Sequence, residues 1–178
     1  MKLTTTLLPG AYLIETDRFE DERGQFERVF EPSAFDAVRP QGEIDLIAVS
    51  SNYRRGTLRG MHYQAAPHAQ SKLVRCTRGS ICDVIVDLRS ESPTHLRWEA
   101  FPLAAGDPRL LFIPPGFAHG FQTLEDLSDV TYVIWGRHEP SAERGVRYDD
   151  PRLGIEWPLE ATVLSPRDRA FPLLGETP

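Results

Sequence analysis

Between residues 71 and 135 the chain repeats one device: a short run rich in β-branched and aromatic residues, then a breaker. Residues 72–77 read KLVRCT and meet Arg78-Gly79. Residues 80–88 read SICDVIVDL, and residues 110–113 stop at Pro114-Pro115-Gly116. Residues 120–124 and 129–135 (DVTYVIW) complete the set. Such runs, spaced by about 8–12 residues with turn chemistry between them, predict an all-β sandwich or barrel. The 15 prolines and 13 glycines fit many short elements joined by tight turns, not a helix bundle. One short helix is expected over Glu31-Pro32-Ser33-Ala34-Phe35-Asp36, with proline near its first turn. The 178 residues read as a single domain, 1–178, large enough to bury a full core. Residues 151–178 are Pro-rich with apolar punctuation and predict a tail that wraps the core.

Composition narrows the function classes. Twenty basic against 26 acidic residues give a net charge of −6, which argues against a nucleic-acid partner. It leaves room for a local basic pocket that takes a phosphorylated small molecule. No run reaches the length of a membrane span, and residues 1–10 lack a signal-peptide core. A cytoplasmic location is the expectation. Cys76 and Cys82 lie six apart, which is not a metal spacing. A two-residue turn at Arg78-Gly79 would set Cys76 opposite Ile81, so two buried free thiols are expected.

Two segments carry the candidate chemistry. The first runs from Gly56 through Leu58-Arg59-Gly60-Met61-His62-Tyr63-Gln64. The second is Ile113-Pro114-Pro115-Gly116-Phe117-Ala118-His119-Gly120-Phe121. Together they resemble the two halves of the cupin signature, which implies a double-stranded β-helix or jelly roll with a few short helices. The second half keeps the P-x-G-x-x-H spacing at Pro114, Gly116 and His119. The first departs where a metal-binding cupin has His-x-His, because Gln64 stands at the second position. A carboxamide is a poor ligand for the divalent metals that imidazole favours. No metal and no cofactor are therefore expected. The histidines would serve as bases or hydrogen-bond donors.

A more specific likeness follows from further segments. They are Asp21-Glu22-Arg23-Gly24-Gln25-Phe26, Lys72-Leu73-Val74-Arg75, residues 83–89 (DVIVDLR), Ser92-Pro93-Thr94, Tyr148-Asp149-Asp150-Pro151, residues 154–158 (GIEWP), and Leu164-Ser165 with Asp168-Arg169. In this order and spacing, from residue 21 to residue 169, the chain resembles the metal-free cupins of the dTDP-4-dehydrorhamnose 3,5-epimerase family.

Epimerising a carbon beside a ketone requires loss of its acidified proton, an enolate, and a proton returned to the opposite face. A base with a pKa near 7 suits the first step, and histidine supplies it. The resemblance makes that base His62, oriented by Asp168. It gives the enolate oxygen to Lys72, with His119 close by. It makes Tyr132 the acid on the opposite face. Read alone, His62 could be a satisfied core histidine, Lys72 a strand-edge gatekeeper and Tyr132 ordinary packing. Asp83 and Asp87 alternate with Ile81 and Ile85 and share one strand face. A carboxylate on an apolar face needs a partner, and His119 is the candidate for Asp83.

The same resemblance names binding residues for a nucleotide sugar: Arg23, Phe26, Arg28, Arg59, His138, Glu143 and Arg167. Arginine forks suit phosphate oxygens. Arg23 and Arg59 are the diphosphate candidates, though a turn residue and a surface charge are the bland readings. The family's Arg23 segment reaches into a neighbouring subunit, which implies a homodimer with the N-terminal strands at its interface. The chain departs from the family at the base-binding end. Arg28 stands for a glutamate, His138 for a stacking tyrosine, and Leu46-Ile47-Ala48-Val49 for a Gln-x-Asn stretch. The implied activity is inversion at C3, C5 or both of a nucleotide-linked 4-keto-6-deoxy hexose. A 3,4-ketoisomerase, a non-catalytic sugar-nucleotide-binding cupin and a metal-dependent cupin oxygenase are the alternatives.

Overall fold

The fold was analysed as a computed structural model of the chain, which describes residues 1–35, 38, 40 and 42–175. Among the described residues are thirteen strands. They are β1 (Lys2–Thr5), β2 (Tyr12–Glu15), β3 (Asp17–Asp21), β4 (Gly24–Arg28), β5 (Ile44–Asn52), β6 (Leu58–Gln64) and β7 (Ser71–Arg78). There follow β8 (Ser80–Asp87), β9 (Trp98–Ala104), β10 (Arg109–Ile113), β11 (Phe117–Thr123), β12 (Ser128–Trp135) and β13 (Glu143–Gly145). Two 3₁₀ turns, Pro32–Phe35 and Pro140–Ala142, and a one-turn helix α1 (Pro166–Arg169) complete the elements. The first 3₁₀ turn covers Pro32–Phe35 of the expected short helix; Glu31 precedes it and Asp36 lies outside the described residues.

The strands form an antiparallel sheet in the order β1-β2-β10-β7-β12-β5 and a second in the order β13-β6-β11-β8-β9. Strands β3 and β4 make a separate two-stranded ribbon. The two main sheets face each other across a core of Val74, Cys76, Leu111, Ile113 and Val130 against Ile81, Ile85, Phe101, Leu103, Phe117 and Phe121. This is the expected jelly roll. Burying each large apolar side chain contributes about 1.5–3 kcal/mol.

Both outer faces are covered as well. Ile14, Leu73, Leu110, Phe112 and Trp135 pack under Phe35. Met61, Cys82, Val84 and Val86 pack with Val146 and Leu153, against Ile155 and Trp157. Strand β8 is therefore sheathed on both sides, and every residue from Ile81 to Asp87 is buried. Beyond β13 the chain stays on this sheet. Leu58 N–H donates to Val163 O (2.9 Å) and Thr162 N–H to Gly56 O (2.9 Å). Gln122 exchanges two hydrogen bonds with the backbone of Leu159.

One expectation is corrected. Arg78-Gly79 does not close a hairpin, and Cys76 is not opposite Ile81. Strand β7 pairs with β10 and β12, whereas β8 pairs with β9 and β11. The turn carries the chain from one sheet to the other. Gly79 makes it at φ +69°, where a side chain would also collide with Ser128. Both thiols are buried and free, on opposite faces of the β8 sheet. Burial pushes each up to about 11.

Candidate active site

Strand alternation brings the candidate residues together. His62 on β6 and His119 on β11 are direct partners in the ladder of one sheet. Lys72 on β7 and Tyr132 on β12 belong to the other sheet. All four line a cavity of about 270 Å³ with Ser50, Arg59, Phe121 and Ile134. It adjoins an outer cavity of about 230 Å³, which shares His62, Lys72 and Ile134 and adds Gln70, His138, Glu143 and Arg167.

The close approach of β6 and β11 needs two glycines. A Cβ on Gly60 would lie 2.6 Å from Gly120 Cα. One on Gly120 would lie 2.7 Å from both Arg59 O and Met61 Sδ. The ladder shifts register between His119 and Phe121 at this point. Bulges commonly re-aim a side chain beside a site.

His62 Nε2 lies 2.8 Å from Asp168 Oδ1. The other carboxylate oxygen accepts the Gly60 N–H at 3.2 Å. Asp168 is held by α1, whose first turn begins at Pro166 and whose N-cap Ser165 accepts the Asp168 N–H at 3.0 Å. Burial works to raise Asp168. The bonds from His62, Gly60 and Ser165 outweigh it and hold the carboxyl below its ordinary range. Asp168 is 4% exposed, whereas the His62 side chain is 39% exposed and open to the cavity.

The second pair is fully enclosed. His119 Nε2 lies 3.0 and 2.9 Å from the two oxygens of Asp83. Burial lowers His119, against the pull of Asp83. It raises Asp83, against His119 and Lys72. Burial also brings Lys72 down to about 8, although Asp83 and Glu143 favour its charge. The Tyr132 phenol is pushed well above its ordinary value by burial, so it stays protonated at neutral pH. Its ring meets His119 edge-on at 6.2 Å. The expected sharing of one β8 face is visible in Ile81 and Ile85 in the core and Asp83 beside them, buried against His119. Asp87 serves elsewhere. It binds Arg89, Ser92 and Thr94, whose hydrogen bonds together overcome burial and hold its carboxyl far below the ordinary range.

The binding candidates divide. Arg59 is in the inner cavity, its Nε donating to Asn52 Oδ1 at 2.8 Å. Glu143 bridges Arg167 (2.5 Å) and His138 (3.7 Å) at the mouth. Arg23, Phe26 and Arg28 do not converge there within one chain. Arg23 pairs with Asp21 in a turn, and Arg28 pairs with Glu31. Phe26 is 66% exposed on the β3–β4 ribbon. Arg23 and Arg28 are thus not brought to Arg59, Lys72 and Arg167 by this chain alone.

Sequence reasoning passed over Ser50, Asn52, Gln70 and Phe171. Ser50 Oγ is buried at the cavity wall without a hydrogen-bond partner. Asn52 orients Arg59 while donating to Ser50 O and Ser128 O. Gln64, at the departure from the metal-cupin pattern, spends its carboxamide on backbone. It donates to His68 O (2.6 Å) and Arg137 O (3.2 Å) and accepts from Glu139 N–H (2.9 Å). Among the described residues no three His, Cys, Asp or Glu side chains are grouped to hold a metal ion.

A jelly roll with histidine, lysine and tyrosine side chains turned into one cavity defines the class as a cupin barrel. A profile described as dTDP-4-dehydrorhamnose 3,5-epimerase matches residues 5–176. The chain belongs to the dTDP-4-dehydrorhamnose 3,5-epimerase family. It is 37% identical over 177 residues to the dTDP-4-dehydrorhamnose 3,5-epimerase of Salmonella typhimurium, covering 99% of this chain and 97% of that one. The crystal structure of the Bacillus anthracis enzyme with TDP and PPi bound superposes with a TM-score of 0.92 at 38% identity. It covers 97% of this chain and 99% of its own. A 3′-monoepimerase from Streptomyces bikiniensis, in complex with dTDP-quinovose, gives 0.86 at 33% identity, with 94% and 85% coverage. Among the described residues no helix is long and apolar enough to cross a membrane.

Proposed function

We propose that this epimerase inverts C3, with or without C5, of a dTDP-linked 4-keto-6-deoxy hexose, without a metal or cofactor. The observation that carries the mechanism is the His62–Asp168 pair opening onto a cavity shared with Lys72, His119 and Tyr132. With Nε2 committed to Asp168, Nδ1 is the nitrogen left to accept the proton from the carbon beside the ketone. The C–H electron pair moves into the ring and the carbonyl oxygen becomes an enolate. Lys72 and His119 stabilise that oxygen. Tyr132 belongs to the opposite sheet from His62 and returns a proton to the other face. The product ketone re-forms, and the base and acid exchange their protons with solvent.

Arg59 and Arg167 serve the diphosphate, with His138 and Glu143 toward the base. The chain acts as a homodimer in which the Arg23 and Phe26 ribbon completes the neighbouring site. Support comes from the ribbon residues lining neither part of their own chain's site cavity and from the exposed Phe19 and Phe26. One domain carries the acid–base residues His62, Lys72, His119, Tyr132 and Asp168, and its two unpaired thiols suit the cytoplasm.

The test is solvent deuterium incorporation at C3 and C5 of dTDP-4-keto-6-deoxyglucose, repeated with CDP, UDP and GDP sugars. Exchange with the dTDP sugar is expected. Absence of exchange across the panel would overturn the reading. Incorporation at C3 alone would favour a monoepimerase, a reading supported by the similarity to the Streptomyces bikiniensis protein.

A further inference from the structure

We infer that Phe171 is a positioning residue for His62, setting the plane of the imidazole while Asp168 fixes its tautomer. This rests on the reading of His62 as the base. Three observations converge on it.

The first is a vacancy in the sheet. Gly145 on β13 is the direct cross-strand partner of His62 on β6. Side chains of directly opposed residues project on the same side and touch. Glycine leaves that place empty, and the ring of Phe171 fills it. A Cβ built on Gly145 would run into three carbons of that ring. Phe171 thus stands where the neighbour of His62 would otherwise be.

The second is the ring geometry. The Phe171 and His62 centroids are 5.7 Å apart and the planes meet at 72°. That is a favourable edge-to-face arrangement, which restricts rotation of the imidazole about its terminal torsion.

The third is how the contact is held. Phe171 follows Asp168 by three residues, just beyond α1. The same turn therefore grips His62 twice, by a carboxylate on Nε2 and by an aromatic ring beside it. The Arg167 guanidinium lies 5.8 Å from the Phe171 centroid and pairs with Glu143. The clamp is thereby tied to the mouth of the cavity.

The consequence is specific. Without the ring, His62 keeps its hydrogen bond but samples a wider range of planes about it. Fewer bound complexes then present Nδ1 along the C–H bond. The loss falls on kcat, because Phe171 lines neither cavity of the site and acts through His62.

The test compares the parent with Phe171→Ala and Phe171→Tyr. An aromatic contact of this kind corresponds to about a threefold to tenfold effect, so Phe171→Ala should lower kcat by that factor. KM should stay within about twofold. Phe171→Tyr should restore kcat. The His62 ring-proton NMR signals, assigned by their loss in His62→Ala, should lose their ring-current shift in Phe171→Ala and keep it in Phe171→Tyr. Unmoved His62 signals or an unchanged kcat in Phe171→Ala would overturn the proposal. So would a fall in kcat matched by a fall in melting temperature and not restored by tyrosine, since that outcome marks a merely structural tail. The NMR arm needs no substrate. Failure of the substrate assignment would show as a parent without turnover, and the seat of Phe171 on His62 would still be decided.

Discussion

Replacing Asp168 by asparagine removes one charge and preserves the side chain's shape. At 2.8 Å, a carboxylate and an imidazolium attract by about 6 kcal/mol at an effective dielectric constant near 20. His62 is 39% exposed, so screening brings this toward the range of a charge-assisted hydrogen bond, about 1.5–3 kcal/mol. Because the imidazolium exists only after proton abstraction, that stabilisation belongs to the barrier. Each 1.36 kcal/mol is tenfold, so charge loss alone predicts a kcat about ten- to two-hundredfold lower. A second effect adds to it. One oxygen of Asp168 accepts from Gly60 N–H and the other faces His62. Asparagine has only one oxygen. If that oxygen keeps the buried Gly60 N–H, the amide NH₂ faces Nε2 and selects the tautomer protonated on Nδ1, the atom that must act as base. The assay is C3 deuterium incorporation at saturating substrate, with circular dichroism to confirm the fold. An Asp168→Asn variant that keeps more than half the parent rate would refute this account of His62.

Four further outcomes are expected. Tyr132→Phe should retain C3 exchange while losing inversion, because abstraction precedes reprotonation; equal loss of both would reverse the assigned roles. With Lys72 at about 8, kcat/KM should fall as pH rises through that value, and Lys72→Arg should move the falling limb upward. Lys72 also carries a stability signature. Between about 8 and 10.5 the unfolded chain holds more protons than the folded one, so urea stability should rise with pH there by more than in Lys72→Met. Gly120→Ala should lower stability by about 1–3 kcal/mol, since the new Cβ meets Arg59 O and Met61 Sδ at 2.7 Å. A urea midpoint equal to the parent's would contradict that contact.

The strands most legible in the sequence are those buried on both faces or rich in β-branched residues, such as β8 and β12. Their partners were not legible. Nothing local distinguishes a hairpin at Arg78-Gly79 from a crossing between sheets, because the difference lies in Ser128, 49 positions beyond Gly79. Strand β9 escaped notice because Pro102 interrupts it; it lies at a sheet edge, where proline is tolerated. Of the site, His62 and His119 stand out through their glycine-flanked turns and fixed spacing. Asp168 is 106 residues from His62, and only the family likeness pointed to it. Phe171 left no signal, since its contact depends on the missing side chain of Gly145.

Gln64 ties the metal-cupin position to the architecture of the rim. In the metal-binding pattern its position carries a ligand, yet here its amide acts as a strut under the segment that bears His138 and Glu143. Placing histidine there would release three backbone bonds before it offered one nitrogen to an ion. His62, the other half of that ligand pair, is already committed to Asp168. A single Gln64→His change would therefore cost the support of the rim without freeing His62, so the position that a metal-binding cupin gives to a ligand is here part of the pocket's frame.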